Sequence, residues 1–170
     1  VDQFLEYFTK WAPAPGVVKT IDNEVSPMDN YFSGFIFKIQ ANMDRKHRDR
    51  MAFMRICSGK FERGMKVKHM RLGRDIRLSH SAQFLAKDRE TVEAAFAGDI
   101  VGVSDPGLFR IGDSVSSGKK VTFHKIPQFS PELFTKLHVS DAMKRQKLQK
   151  AVGELSEEGV IQIFVDPVIG

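Results

Sequence analysis

Between Phe32 and Phe123 the chain breaks into short apolar runs separated by glycine-bearing turns, with no crossover helix between them. Parallel strands need such crossovers, so the pattern restricts this region to antiparallel pairing. Phe35–Ile39, Met51–Cys57, Met65–Met70, Asp75–Leu78, Ile100–Val103 and Val121–His124 read as strands. Ser58-Gly59, Arg63-Gly64, Gly73, Gly98-Asp99, Gly107, Gly112-Asp113 and Gly118 lie between them. Closure into a barrel is expected, because it removes exposed strand edges. Asp88–Phe96 places Val92 and Phe96 four apart, but Ala97-Gly98-Asp99 follows at once, so a connection into the next strand is expected there.

The flanks have a different texture. Phe4, Leu5, Phe8 and Trp11 recur at helical spacing, and Pro13 and Pro15 end the helix they imply over residues 2–11. So short a helix needs a partner for its apolar stripe, whether a missing upstream segment, the barrel or a neighbouring molecule. Residues 12–30 have linker chemistry. After Ile126-Pro127 a strand is expected over Glu132–Val139, with Asp141 as a helix N-cap and Leu148, Ala151, Val152 and Leu155 on one helix face. Gly159 should close that helix, and a strand is expected over Val160–Val165. Strand, helix, strand is half of an α+β unit. The expected division is 1–30 for a helix and linker, 31–128 for the barrel, and 129–170 for an incomplete α+β domain.

Charge is concentrated rather than spread. The 170 residues carry net +5, yet Asp44 to Arg77 holds twelve Lys or Arg against four acids, a net +8, so the remainder carries −3. A basic block points to a polyanion, whereas a solvated strand face would use the same residues only to keep sheet edges apart. Its densest part is Ile39–Arg50, between two strand-like runs, where charge is readily solvated and free to meet a partner. No apolar run approaches the ~20 residues that span a bilayer, and residues 1–10 lack a signal-peptide pattern, so a soluble, cytoplasmic chain is expected. The lone cysteine, Cys57, fits a reducing compartment and reads as a small core residue.

Catalytic chemistry is not legible. A phosphate-binding loop would need Gly-x-x-x-x-Gly-Lys-Ser/Thr, and the nearest approach, Gly118-Lys119, has Asp at 113 and Lys at 120. His47, His69, His80, His124 and His138 share no ligand spacing. No nucleophile elbow or Cys/His pair stands out. His47 between Asp44 and Asp49 can be drawn as an acid-base site, but such alternating charges on a solvent-facing loop normally pair or hydrate. No catalytic, cofactor or metal residue is assigned.

The barrel segment resembles the second domain of the translational GTPases, the group of elongation factors Tu and G. The resemblance rests on Gly34-Phe-Ile-Phe-Lys38, Arg55-Ile-Cys-Ser-Gly-Lys-Phe-Glu-Arg-Gly64, Ala97-Gly-Asp-Ile-Val101 and Ile111-Gly-Asp-Ser114. Within that group Phe37-Lys-Ile-Gln-Ala-Asn-Met-Asp44, His47-Arg-Asp-Arg50, Phe129-Ser-Pro-Glu-Leu-Phe134 and Leu155-Ser-Glu-Glu-Gly159 look like the bacterial class II release factor family, release factor three. Arg45 departs from the proline that the family pattern implies after Asn-Met-Asp.

The resemblance implies a mainly β chain with a translation-factor barrel as domain 2. A partial ferredoxin-like α+β domain 3 follows, and a short helix left from a G domain precedes. It implies a parent GTPase that binds the ribosome with GTP and Mg2+ and promotes departure of the class I release factor after termination. GTP and Mg2+ would belong to a G domain missing from this fragment, which would itself be no enzyme. The fragment would dock on small-subunit rRNA and protein through Arg45, Lys46, His47, Arg48, Arg50, Lys60 and Arg63. Alternatively Arg48 and Arg50 fold back onto the barrel, paired by Asp44 and Asp49. The competing readings are an elongation-factor-G-like barrel and a module that mainly positions the G domain and the rest of domain 3.

Overall fold

The computed structural model describes residues 1–41, 50–78, 81–85, 88–91, 93–127, 129–139 and 141–165. Helix α1 spans Asp2–Trp11, and a short ribbon follows, β1 (Val18–Lys19) against β2 (Glu24–Val25). The main body is built from β3 (Ser33–Ala41), β4 (Arg50–Ser58), β5 (Lys60–Glu62), β6 (Lys66–His69), β7 (Arg74–Arg77), β8 (Ser81–Leu85), β9 (Asp88–Thr91), β10 (Ala94–Phe96), β11 (Ile100–Ser104) and β12 (Ser114–Ser116). A 3-10 turn, Ala142–Lys144, leads into α2, Arg145–Glu157.

Every pairing among these strands is antiparallel, as the missing crossovers require. Eight strands run in the order β7-β6-β12-β3-β4-β11-β8-β9 and curl into a half-barrel, while β5 and β10 pair separately. That second ribbon delivers Phe61 and Ala95 to the same interior, so one core unites both sheets.

The core is made by alternation. On β4, Ala52, Met54 and Ile56 point inward, and Arg55 between them is exposed. On β3, Ile36 and Ile39 are both buried although three residues apart, which a regular strand forbids because its side chains switch faces every residue. The register explains it: Ile36 pairs Met54 and Lys38 pairs Phe53, so Phe37 is bulged out and the phase resets.

A second, smaller cluster lies on the outer wall. Phe35 and Cys57, on the opposite face of β3 and β4, pack with Val18, Val25, Tyr31, Val121 and Phe123. Part of the expected linker therefore lines the barrel wall. Val121–His124, expected to be a strand, makes one bridge, Phe123 to Thr20, and Ile21 N–H donates to Thr122 O at 2.9 Å. Cys57 is buried in this cluster, and desolvation pushes its thiol up to about 11, despite the opposing charge of Arg55. A thiol so raised is inert.

Several expectations are corrected. The connection expected over Asp88–Phe96 forms strands β9 and β10, with Ala95 facing the core where a helical reading had looked to Val92, which lies outside the described residues. Glu132–Val139 and Val160–Val165 are not strands: among the described residues neither finds a neighbour, and unpaired extended backbone makes no ladder hydrogen bonds. Helix α1 stacks Phe4 on Phe8 and sets Tyr7 tilted against Trp11, but no residue of it is buried, so its stripe is not covered by the barrel.

Around α2 the local signals are realised. Asp141 accepts the Met143 N–H at 3.0 Å as an N-cap. Gly159, at φ 74°, follows the helix while Gly159 N–H and Val160 N–H donate back to Ser156 O and Leu155 O, a Schellman closure.

Gly59, in the β4–β5 turn, has φ 66°, and a methyl group there would sit 2.6 Å from the Tyr31 carbonyl oxygen. Gly59→Ala should lower stability by at least about 1–3 kcal/mol through backbone strain. A fall in the urea midpoint at unchanged slope would report it, and an unchanged midpoint would contradict it.

Candidate polyanion interface

Arg45, Lys46, His47 and Arg48, with Asp44 and Asp49, lie outside the described residues. Arg50, Lys60 and Arg63 are described, and they divide sharply.

Arg50 opens β4 and turns inward to the rim. Its side chain is 12% exposed. Nε donates to Asp105 Oδ2 at 2.8 Å, Nη2 to the Phe109 carbonyl at 2.8 Å, and Nη1 to Glu157 of α2. Expected at a phosphate, Arg50 is instead committed within the molecule. The expected pairing with Asp44 and Asp49 falls on residues outside those described; Arg50 turns back onto the molecule, but on Asp105 and Glu157. Those partners, outweighing the desolvation that opposes charge, hold its pKa above the ordinary arginine value.

Asp105 is equally occupied: Oδ1 accepts the backbone N–H groups of Gly107, Leu108 and Phe109 at 2.9, 2.7 and 3.1 Å. A second buried carboxylate, Asp113, sits nearby on the Gly112-Asp113 turn before β12. Arg71 grips it in a fork, Nε to Oδ1 at 2.7 Å and Nη2 to Oδ2 at 2.8 Å, and Arg110 N–H adds 2.7 Å. His69, wholly buried on β6, stacks on Phe109 and brings Nε2 within 3.0 Å of Asp113 Oδ2, though without hydrogen-bond alignment. Burial alone would raise the Asp113 pKa. The Arg71 fork, His69 and the Arg110 N–H outweigh it and hold the carboxyl at about 2.

The remaining cations face solvent. Lys60 pairs Glu62 and Arg63 pairs Glu93, at 2.8 and 2.9 Å with all four side chains exposed. Such exposed pairs are weak and readily exchanged. On β6, Val67 and His69 point inward, so Lys66 and Lys68 must point out, and register sets Lys66 beside Arg77 and Lys68 beside Asp75. Lys66 pairs Asp75 at 2.9 Å.

A shallow cleft lies against this row, lined by Lys66, Lys68, Asp75, Ser116, Ser117 and Gly118. Ser116 Oγ accepts the Gly118 N–H and Ser117 Oγ the Phe32 N–H. Ser117 is exposed and its hydroxyl keeps its proton for an outside acceptor, whereas Ser116 is buried. Two lysines and the exposed Ser117 hydroxyl at one edge suit the oxygens of a phosphate backbone. Sequence reasoning passed over Lys66, Lys68, Ser116 and Ser117. The Lys-Val-Lys-His alternation carried half the signal, but the serines join it only by β12 pairing β6. Among the described residues no group of three His, Cys, Asp or Glu could hold a metal ion, and no helix is long and apolar enough to cross a membrane.

Residues 31–118 match the family model for elongation factor G domain 2, and residues 123–170 match that for the C-terminal domain of class II release factor RF3. A curated relative, peptide chain release factor 3 of Symbiobacterium thermophilum, is 54% identical over the whole chain. The chain spans 34% of that relative's length. A crystal structure of a Thermus thermophilus protein superposes with TM-score 0.68 at 25% identity, covering 92% of this chain and 22% of the other.

The depressed Asp113 carboxyl contributes stability that is fully present above its ordinary pKa of 3.8 and is lost as pH falls towards about 2. Asp113→Asn should cost about 2 kcal/mol at neutral pH and flatten the stability profile between pH ~4 and ~2. Urea unfolding across that range tests it; parallel profiles for the two proteins would contradict the assignment.

Proposed function

Because the chain belongs to the elongation factor G domain 2 family and is over its whole length a relative of peptide chain release factor 3, we propose that it is the ribosome-docking part of a termination GTPase. The parent promotes departure of class I release factors from the ribosome in the cytoplasm. GTP and Mg2+ act in the parent's G domain, and the chain's own work is to bind and position.

The observation that carries this reading is the outward cation row of β5–β7. Lys60, Arg63, Lys66, Lys68 and Arg77 are exposed, and beside two of them the cleft offers the exposed Ser117 hydroxyl. Arg45, Lys46, His47 and Arg48 are assigned to the same interface. Lysines and arginines on an rRNA backbone give a sequence-indifferent attraction that weakens with salt. The pairing of Lys60 and Arg63 with exposed acids does not oppose this, since such pairs give way to phosphate at little cost.

Positioning of neighbouring domains is a second role, favoured by a specific observation. Phe4, Leu5, Phe8 and Trp11 on α1 and Leu133, Phe134 and Phe164 after the barrel are exposed, which suits surfaces that meet further domains of the parent. An elongation-factor-G-like parent is disfavoured by the release factor match at 123–170 and the 54% identity.

Sedimentation of the 170-residue chain with small ribosomal subunits over a salt series tests docking. Lys46→Glu with Arg48→Glu should weaken association and flatten the logarithmic salt slope by about 1 for each phosphate no longer neutralised. Identical slopes for the unmodified chain and the variant would overturn the reading.

A further inference from the structure

Arg50 is built as a latch with one fixed and one releasable side. Its Nε and Nη2 are held by barrel groups, Asp105 and the Phe109 carbonyl, and Asp105 is further fixed by three backbone N–H groups. The guanidinium therefore keeps its place whether or not α2 is present. Nη1 alone reaches across to Glu157, on the last turn of α2, a side chain 38% exposed. The charge of Arg71 also acts on Glu157 from the same rim.

Among the described residues the helix is only lightly held to the barrel. No residue of α2 is fully buried, and the close approach beside the latch is Gly159, where a methyl group would lie 2.9 Å from Ile111 Cδ1. The lack of a side chain at Gly159 lets the end of the helix reach the rim. A narrow, polar contact of this kind permits two orientations rather than one.

We propose that the Arg50–Glu157 pair is a conformational latch that holds the C-terminal unit against the barrel and releases it when Glu157 lets go, leaving the barrel intact. The partner of Glu157 is a pre-positioned cation, so closing the latch requires ordering of the glutamate side chain and little rearrangement of the barrel. The rim is then a joint between two bodies as well as the end of a sheet.

Distances between spin labels at Lys60→Cys on the barrel and Lys147→Cys on α2 read the orientation directly, and buried Cys57 stays unlabelled. The doubly labelled chain with Glu157 intact should give one main distance. Glu157→Gln should raise the population of a second, displaced distance about fivefold, the change expected for one weak ion pair. Raising salt should do the same where Glu157 is intact and add little to the variant. Glu154→Gln, whose partner Lys150 is on the same helix, should change nothing. The barrel's thermal midpoint should be the same in all three proteins. An unchanged distance distribution in Glu157→Gln, equal broadening by Glu154→Gln, or a fall in the barrel midpoint comparable to that of Asp113→Asn would each overturn the latch.

Discussion

The two-residue alternation of the β strands, reset on β3 by the bulge at Phe37, is the constraint from which the rest of the molecule follows. It sends Ile36, Ile39, Met54, Ile56, Val67, Val101, Val103 and Val115 into one interior. By the same rule it sends Lys66, Lys68 and Arg55 outward. A slip of one residue would exchange these two sets, burying cations without partners, so the core and the charged face stand or fall together. The bulge matters because Ile36 and Ile39 would otherwise face opposite ways, leaving one of them in water.

At the rim, burial is made tolerable for carboxylates. Asp105 and Asp113 are buried at 4% and 5% exposure, which an isolated carboxylate would not tolerate. Each sits at a turn whose backbone N–H groups point at it, and each carries an arginine, Arg50 or Arg71. Two of the twelve cations of the basic block are thereby committed to structure. Net charge therefore overstates what a partner meets.

The proposed docking and positioning roles consequently share one frame. The outward cations lie on β5–β7, the releasable ion pair lies at the start of β4, and both are referenced to the same core through β3, β12 and β6. A chain that binds a large polyanion while holding neighbouring domains needs such a reference, because a contact made on one face can be transmitted only through elements that do not deform.

Much of the architecture is written locally. Glycine turns and the lack of crossovers established an antiparallel, mainly β body, and Asp141 and Gly159 marked the ends of the helical segment, because a turn, a cap or a face period depends on neighbours in sequence. The family motifs were legible for the same reason. What only the tertiary structure decided is long-range. It showed that Ala94–Phe96 pairs with Lys60–Glu62, that residues 18–25 line the outer wall, and that among the described residues Glu132–Val139 lacks a strand to join. It also turned Arg50 inward onto acids 55 and 107 residues away, which neither reading of the sequence had named. No local rule could select those acids, since a buried charge takes whichever partner the fold brings within reach.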